Sequence, residues 1–342
     1  MKAAIYNGRG EVEVVEKPTP TPGPRDVLLR NLHASICGSD VSAYLHGPQA
    51  HRIFPGSEFG HEMISEVAEV GREVTGLTVG ERVYPYPVYA AGTTATPGTL
   101  GGFSEYILVR DCEVGKHVYP VDPSIPTDVA AMIEPFTVAT HAARRANPRA
   151  GESAIVFGSG TIGIGAAVAL SHLGCAPVMV VDVSDFRLAK AAELGFATCN
   201  SRTEDLRSKT LEVFGSARAV EGETADIDVV VEATGNDSII GIYQDMAKLY
   251  SRMVVVGVHD HPVPVDMSRL AYSQQTLIGS GGYTSADVAT VMDIMINGKF
   301  DLGSIVTQHF THDRIAEALI TASDVDRALN VQIVYSPGIG VR

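Results

Sequence analysis

The chain has 342 residues, 45% hydrophobic and 19% charged, with a formal net charge of −14 at pH 7. That is a globular composition long enough for two domains, and its negative charge argues against nucleic acid or anionic membrane as a partner. No apolar run nears the roughly 20 residues of a membrane span, and the N-terminus breaks at Asn7-Gly8 before a signal-peptide core could form, so a cytoplasmic protein is expected.

Short β-rich runs come first, at 3–6, 12–15 and 27–32, separated by Asn7-Gly8 and by Pro18, Pro20, Pro22 and Pro24. Cys37-Gly38-Ser39-Asp40 follows the third run, and Gly60-His61-Glu62 precedes a strand expected at 64–70. Strands at 82–84 and 106–109 flank a small, polar loop at 89–98. A helical stretch is expected from about 127 to 145, with Pro135 starting or kinking a helix. The rhythm changes at 147–152. Beyond it, valine-rich strands at 154–157, 178–181, 229–232, 253–256 and 276–278 alternate with helices at 161–173, 185–194, after Asp237 and from about Ser285. This alternation predicts a doubly wound parallel sheet with helices on both faces. The segment 305–335 reads as strand, helix (314–322) and strand, returning to the first domain. The expected domains are therefore 1–148 with 292–342, and 149–291.

The cysteines, Cys37, Cys112, Cys175 and Cys199, are scattered without a C-x-x-C pair. Neither a disulfide framework nor a four-cysteine zinc module is indicated, and Cys175 and Cys199 read as buried fillers.

Gly158-Ser159-Gly160-Thr161-Ile162-Gly163 follows a strand and opens a helix, the context in which G-x-G-x-x-G binds a dinucleotide. The first glycine turns the chain, the second admits the pyrophosphate and the third packs helix on strand. The N-terminus of that helix, at Thr161 and Ile162, offers N–H groups to phosphate. Asp182 ends the next strand at about the 20-residue offset expected of the acid that binds the ribose. A carboxylate there favours NAD over NADP; Arg187, five residues on, could soften that preference but is placed on the following helix. Thr234, Val256 and Gly281 fall at strand ends on the ligand-binding edge of the sheet.

In the other domain Cys37, His61 and Glu62 offer a thiolate, an imidazole and a carboxylate, all good zinc ligands, and Glu134 offers a further carboxylate. Catalytic zinc sites use three protein ligands and an open position.

Taken together, Cys37-Gly38-Ser39-Asp40, Gly60-His61-Glu62 with Val67, Glu134-Pro135 with His141-Ala142, the turn at 158–163, Val231-Glu232-Ala233-Thr234-Gly235 and the run at 254–258 resemble the zinc-dependent medium-chain alcohol and polyol dehydrogenases. The similarity covers nearly the whole chain, including a closing strand at 331–334. It implies an α/β protein with a Rossmann domain and a mostly-β, GroES-like catalytic domain. It also implies Cys37 and His61 as zinc ligands, with Glu62 and Glu134 competing for the remaining places, as in sorbitol- and idonate-type members. By the same resemblance Asp40 accepts a hydrogen bond from His61, and Ser39 binds the substrate oxygen and relays its proton. The implied substrate is a secondary alcohol of a polyol, sugar or sugar acid; the alternatives are a threonine-type amino alcohol and a non-catalytic NAD-binding regulator. A homodimer or homotetramer is implied, through the edge strands of the Rossmann domain.

The sequence departs from that family in two places. The stretch 88–103 lacks the cysteines that hold a second, structural zinc, so one metal per chain is expected. Ser42 stands where many relatives carry a relay histidine; Ser42 could carry a water-mediated relay, or His46 or His51 could substitute, though both histidines read more simply as solvated. Glu58 reads as a surface carboxylate that could instead shape the pocket. Tyr44 and Phe103 are candidates to line the substrate cleft, and His33 is a satisfied core or edge histidine. His259 and His261 flank the turn after the run at 254–258, where the resemblance places the nicotinamide, and could touch cofactor or substrate, though they read more simply as solvated loop residues.

Overall fold

The strand Val27–Ser35 is the backbone of the first unit. It pairs antiparallel with Glu62–Val70 on one side, with Tyr106–Val109 along its first half, and with the C-terminal strand Asn330–Val334 at its far end. Nine mostly apolar, alternating residues suit a strand buried between neighbours. The sheet runs in the order Val306–Thr311, Asn330–Val334, Val27–Ser35, Glu62–Val70, Arg82–Pro85 and Val118–Pro120. A second sheet holds Glu11–Glu16, Lys2–Gly8 and Ser57–Glu58. Leu29, Val67, Val83, Ile107 and Val109 fill one core, and Tyr6, Phe59, Met63, Phe103 and Ile333 fill another. A computed structural model, describing residues 1–47, 52–91 and 97–335, provides this picture.

The second unit is an all-parallel sheet of six strands in the order Ala197–Asn200, Val178–Asp182, Ala154–Phe157, Val229–Glu232, Arg252–Val255 and Thr276–Gly279. Chain order reverses between the third and fourth of these, creating the switch point at which α/β sheets bind ligands. The protein is thus an α/β chain with a mostly-β unit and a doubly wound parallel-sheet unit.

The units are Met1–Glu134 with Met295–Asn297 and Leu302–Arg342, and Pro135–Ile294 with Gly298–Asp301. The first boundary falls 14 residues before the expected one at 148/149, and the second a few residues after 291/292. The first shift has a packing cause. The helix Ile133–Arg145 lies so close to the helix Thr161–His172 that a Cβ on Gly165 would stand 2.8 Å from Ala139 Cβ, so it belongs with the Rossmann helices. The stretch expected as one helix is two, Thr127–Ala130 and Ile133–Arg145, and Pro135 sits in the first turn of the second, where proline is tolerated. No helix among the described residues is long and apolar enough to cross a membrane.

Candidate active site

Strand register brings the first group together. Ser35 pairs with Glu62, so the chain leaving one strand at Ile36-Cys37 lies beside the chain entering the next at His61-Glu62. Cys37 then caps a helix that sequence reading missed, Gly38–His46. Its signal was Asp40, three residues past the cap, whose Oδ2 accepts the Cys37 N–H at 3.1 Å. The ligand atoms of Cys37, His61 and Glu62 lie within 4.8 Å of one another, the one such group among the described residues. Glu134 lies outside that group, although its charge reaches His61 and helps to raise that ring's pKa.

The charge balance of this group calls for a cation. Burial, then the Glu62 and Asp40 carboxylates, push the Cys37 thiol well above its usual range. Burial pushes Asp40 up to about 7 against the pull of His61. For His61, burial favours the neutral ring, but Asp40, Glu134 and Glu62 outweigh it. Ser39 Oγ, Asp40 Oδ1 and His61 Nδ1 are buried without a hydrogen-bond partner. The expected bond from His61 to Asp40 is therefore not made through these atoms, because Asp40 turns its other oxygen to Cys37. A soft thiolate, an imidazole and a carboxylate with unpartnered atoms around them fit zinc in kind and charge.

The residues expected to bind a dinucleotide all fall in the second unit. Gly158 turns the chain with φ +102° after the strand Ala154–Phe157, and Gly160 caps the helix Thr161–His172 with no side chain to occupy its end. Gly163 is fixed by space, since a Cβ there would stand 1.9 Å from Gly158 O. Asp182 accepts from Ser159 N–H at 2.6 Å and its hydroxyl at 2.7 Å, and from Val183 and Ser184 N–H at 2.6 and 3.0 Å. Arg187 is on the helix Asp185–Glu193, and its guanidinium stands beside Gly160, 3.8 Å from where a Cβ would be. Thr234 donates through N–H and hydroxyl to Glu232, Val256 donates its N–H to Glu232 O, and Gly281 is an exposed loop residue past the edge strand.

Several lesser expectations are corrected. Phe103 is fully buried against Phe59, and Tyr44 lies in the same core rather than in an open cleft. Glu58 accepts from Ser104 Oγ and pairs with Lys17, tying strand to loop. His259 is no solvated residue, because it bridges Glu232 and Asp237. His33 is satisfied by Gln332 as expected, His46 is exposed, and His51 lies outside the described residues. Glu232, which organises the end of its strand, was missed as a site residue.

Comparison with known proteins now decides the family. Residues 23–121 match the alcohol dehydrogenase GroES-like domain and residues 161–297 the zinc-binding dehydrogenase model. An L-threonine 3-dehydrogenase from Anaeromyxobacter dehalogenans is 30% identical over 333 residues, covering 92% of this chain and 93% of that protein. The chain belongs to the zinc-dependent medium-chain dehydrogenases. It is an oxidoreductase of the alcohol dehydrogenase class within that family. The 2R,3R-butanediol dehydrogenase of Bacillus subtilis is similar in structure, with a TM-score of 0.84 at 25% identity, covering 98% of this chain and 99% of that one. The L-idonate 5-dehydrogenase of Escherichia coli shares the fold, with a TM-score of 0.84 at 24% identity and 97% of each chain covered.

Proposed function

We propose that this dehydrogenase oxidises a secondary alcohol of a polyol, sugar or sugar acid with NAD, using one zinc ion per chain. The half-buried Cys37–His61–Glu62 group carries the reading, because its surplus of acidic groups is relieved by a divalent cation. Cys37, His61 and Glu62 would hold the metal, with Glu134 as an exchanging carboxylate. When bound, zinc acts as a Lewis acid on an alcohol oxygen and NAD accepts hydride. Ser39, on the first turn of its helix, takes the hydroxyl proton and passes it outward; Ser42 lies one turn further on. The helix end at Gly160 to Gly163 holds pyrophosphate, and Asp182 holds the ribose hydroxyls and disfavours the extra phosphate of NADP. Thr234, Val256 and Gly281 serve the other half of the dinucleotide. Cytoplasmic residence and assembly as a homodimer or homotetramer belong to the same reading.

A second reading is a threonine-type amino-alcohol dehydrogenase, favoured by the names of the sequence relatives. Both readings are tested by measuring NAD reduction with polyols, sugar acids and amino alcohols, alongside metal content. One zinc per chain is expected. Cys37→Ser should lose the metal and at least about 99% of turnover while binding NADH normally. Full turnover in Cys37→Ser would overturn the metal mechanism, and two tightly held zincs per chain would overturn the single-metal reading.

A further inference from the structure

Glu232 ends its strand with its side chain fully buried. Its Oε1 accepts from Thr234 N–H and hydroxyl and from Gly235 N–H, at 2.6 to 2.8 Å, while Oε2 faces His259 Nε2 at 3.3 Å. The other ring nitrogen of His259 faces Asp237 Oδ1 at 3.0 Å. Asp237 Oδ2 meets His261 Nε2, and His261 Nδ1 meets Asp260. A neutral imidazole donates from one nitrogen only, so a ring with a carboxylate at each nitrogen is satisfied only as the imidazolium. Both rings meet that condition. The charged groups facing them are Glu232 from its strand, Asp237 from the N-cap of the helix Ser238–Met246, and Asp260 from their own turn. Both rings accordingly titrate above the usual histidine range, led by the bond to Asp237 for His259 and to Asp260 for His261.

This row of alternating charges lies past the carboxyl ends of Val229–Glu232 and Arg252–Val255, in the half of the sheet opposite Asp182. With Asp182 on the adenosine ribose, that half takes the nicotinamide. Three carboxylates and two protonated rings leave one net negative charge, and losing both ring protons leaves three. The oxidised nicotinamide ring carries a positive charge and the reduced ring carries none.

Resting on the NAD reading above, we propose that the Glu232–His259–Asp237–His261–Asp260 row sets which redox form of the cofactor the enzyme holds. His259 is its positioning residue. Base makes the row more negative and favours the oxidised form; acid favours the reduced form. The direction matches the chemistry, since alcohol oxidation releases a proton and is itself favoured in base.

The chain has no tryptophan, so NADH emission serves as the binding signal and NAD+ is read by displacement. The ratio of Kd for NAD+ to Kd for NADH, taken on the metal-loaded enzyme from pH 6 to 9, should fall about fivefold. His259→Gln should remove most of that fall. Asp260→Asn alters a side chain 81% exposed and should leave the fold intact; it should move the midpoint to lower pH, because His261 loses a partner. A flat wild-type ratio, a His259→Gln profile that tracks wild type, or an unmoved midpoint in Asp260→Asn would each overturn the proposal. Saturable binding of neither dinucleotide would instead remove the NAD reading beneath it.

Discussion

Asp182 spends every lone pair it has on the protein. Four donors from Ser159, Val183 and Ser184 hold its two oxygens, so the carboxylate staples the glycine turn to the next strand before any ribose arrives. A ribose hydroxyl that binds there displaces or shares with Ser159, the one partner able to swing away by side-chain rotation. Charge-assisted hydrogen bonds of this kind contribute about 1.5 to 3 kcal/mol each. Asp182→Ala is therefore expected to weaken NAD binding by at least about tenfold while weakening NADP much less, as read by emission titration of the two reduced forms. Equal losses for both dinucleotides would reduce Asp182 to a scaffold residue.

Among the elements, the helix Ser285–Asn297 shows how one buried acid can fix a whole segment. Asp287 accepts from Thr284 N–H at 2.8 Å and its hydroxyl at 2.7 Å, and from His141 at 2.9 Å, with Arg144 at 3.3 Å. Burial alone would raise its pKa, but the Thr284 bonds and then His141 outweigh it and hold the group below the usual carboxylate range. A depressed folded pKa means stability that is present above the unfolded value near 4 and lost as pH falls through the folded value. Asp287→Asn should cost about 2 to 3 kcal/mol in urea unfolding at pH 7, with the gap to wild type closing below about pH 4. A cost under about 0.5 kcal/mol would show the cap to be ornamental.

The Rossmann strands were legible because buried parallel strands leave runs such as Val229-Val230-Val231. The strand Ala197–Asn200, the helix Leu206–Phe214 and the hairpin Ser216–Arg218 with Glu223–Ala225 were not, being short, polar or mixed in pattern. Cys37, His61 and the glycine turn were legible for another reason: each needs a particular residue type at a fixed spacing. The charge row at His259 was missed because Glu232 and Asp237 reach it only through a strand end and a helix cap. No local pattern marks that meeting.

For the molecule as a whole, the sheet edge at Thr276–Gly279 leaves Thr276 and Gly279 exposed, and Tyr250, Met267 and Tyr272 expose 63%, 66% and 75% of their surfaces. An edge strand with unpaired backbone groups is a template for a second strand. Assembly through this edge is part of the proposed function. Gly279→Pro should convert the oligomer to monomer in sedimentation at micromolar concentration, since Thr276 and Ser280 donate their N–H groups inward to the neighbouring strand and alternation turns that of Gly279 to the open edge. An unchanged sedimentation coefficient would place the interface elsewhere.

The pairing of Asn330–Val334 with Val27–Ser35 also orders events at the ribosome. The Rossmann unit occupies an almost unbroken stretch, Pro135–Ile294, and can close on itself while later codons are still being read. The unit carrying Cys37, His61 and Glu62 has segments on both sides of that stretch. Its central strand waits for residues near the C-terminus before both of its edges are covered. A nascent chain stalled after residue 300 would carry Cys37 and His61 in a half-built sheet, so the proposed zinc site should hold metal tightly only once Asn330–Val334 has been made.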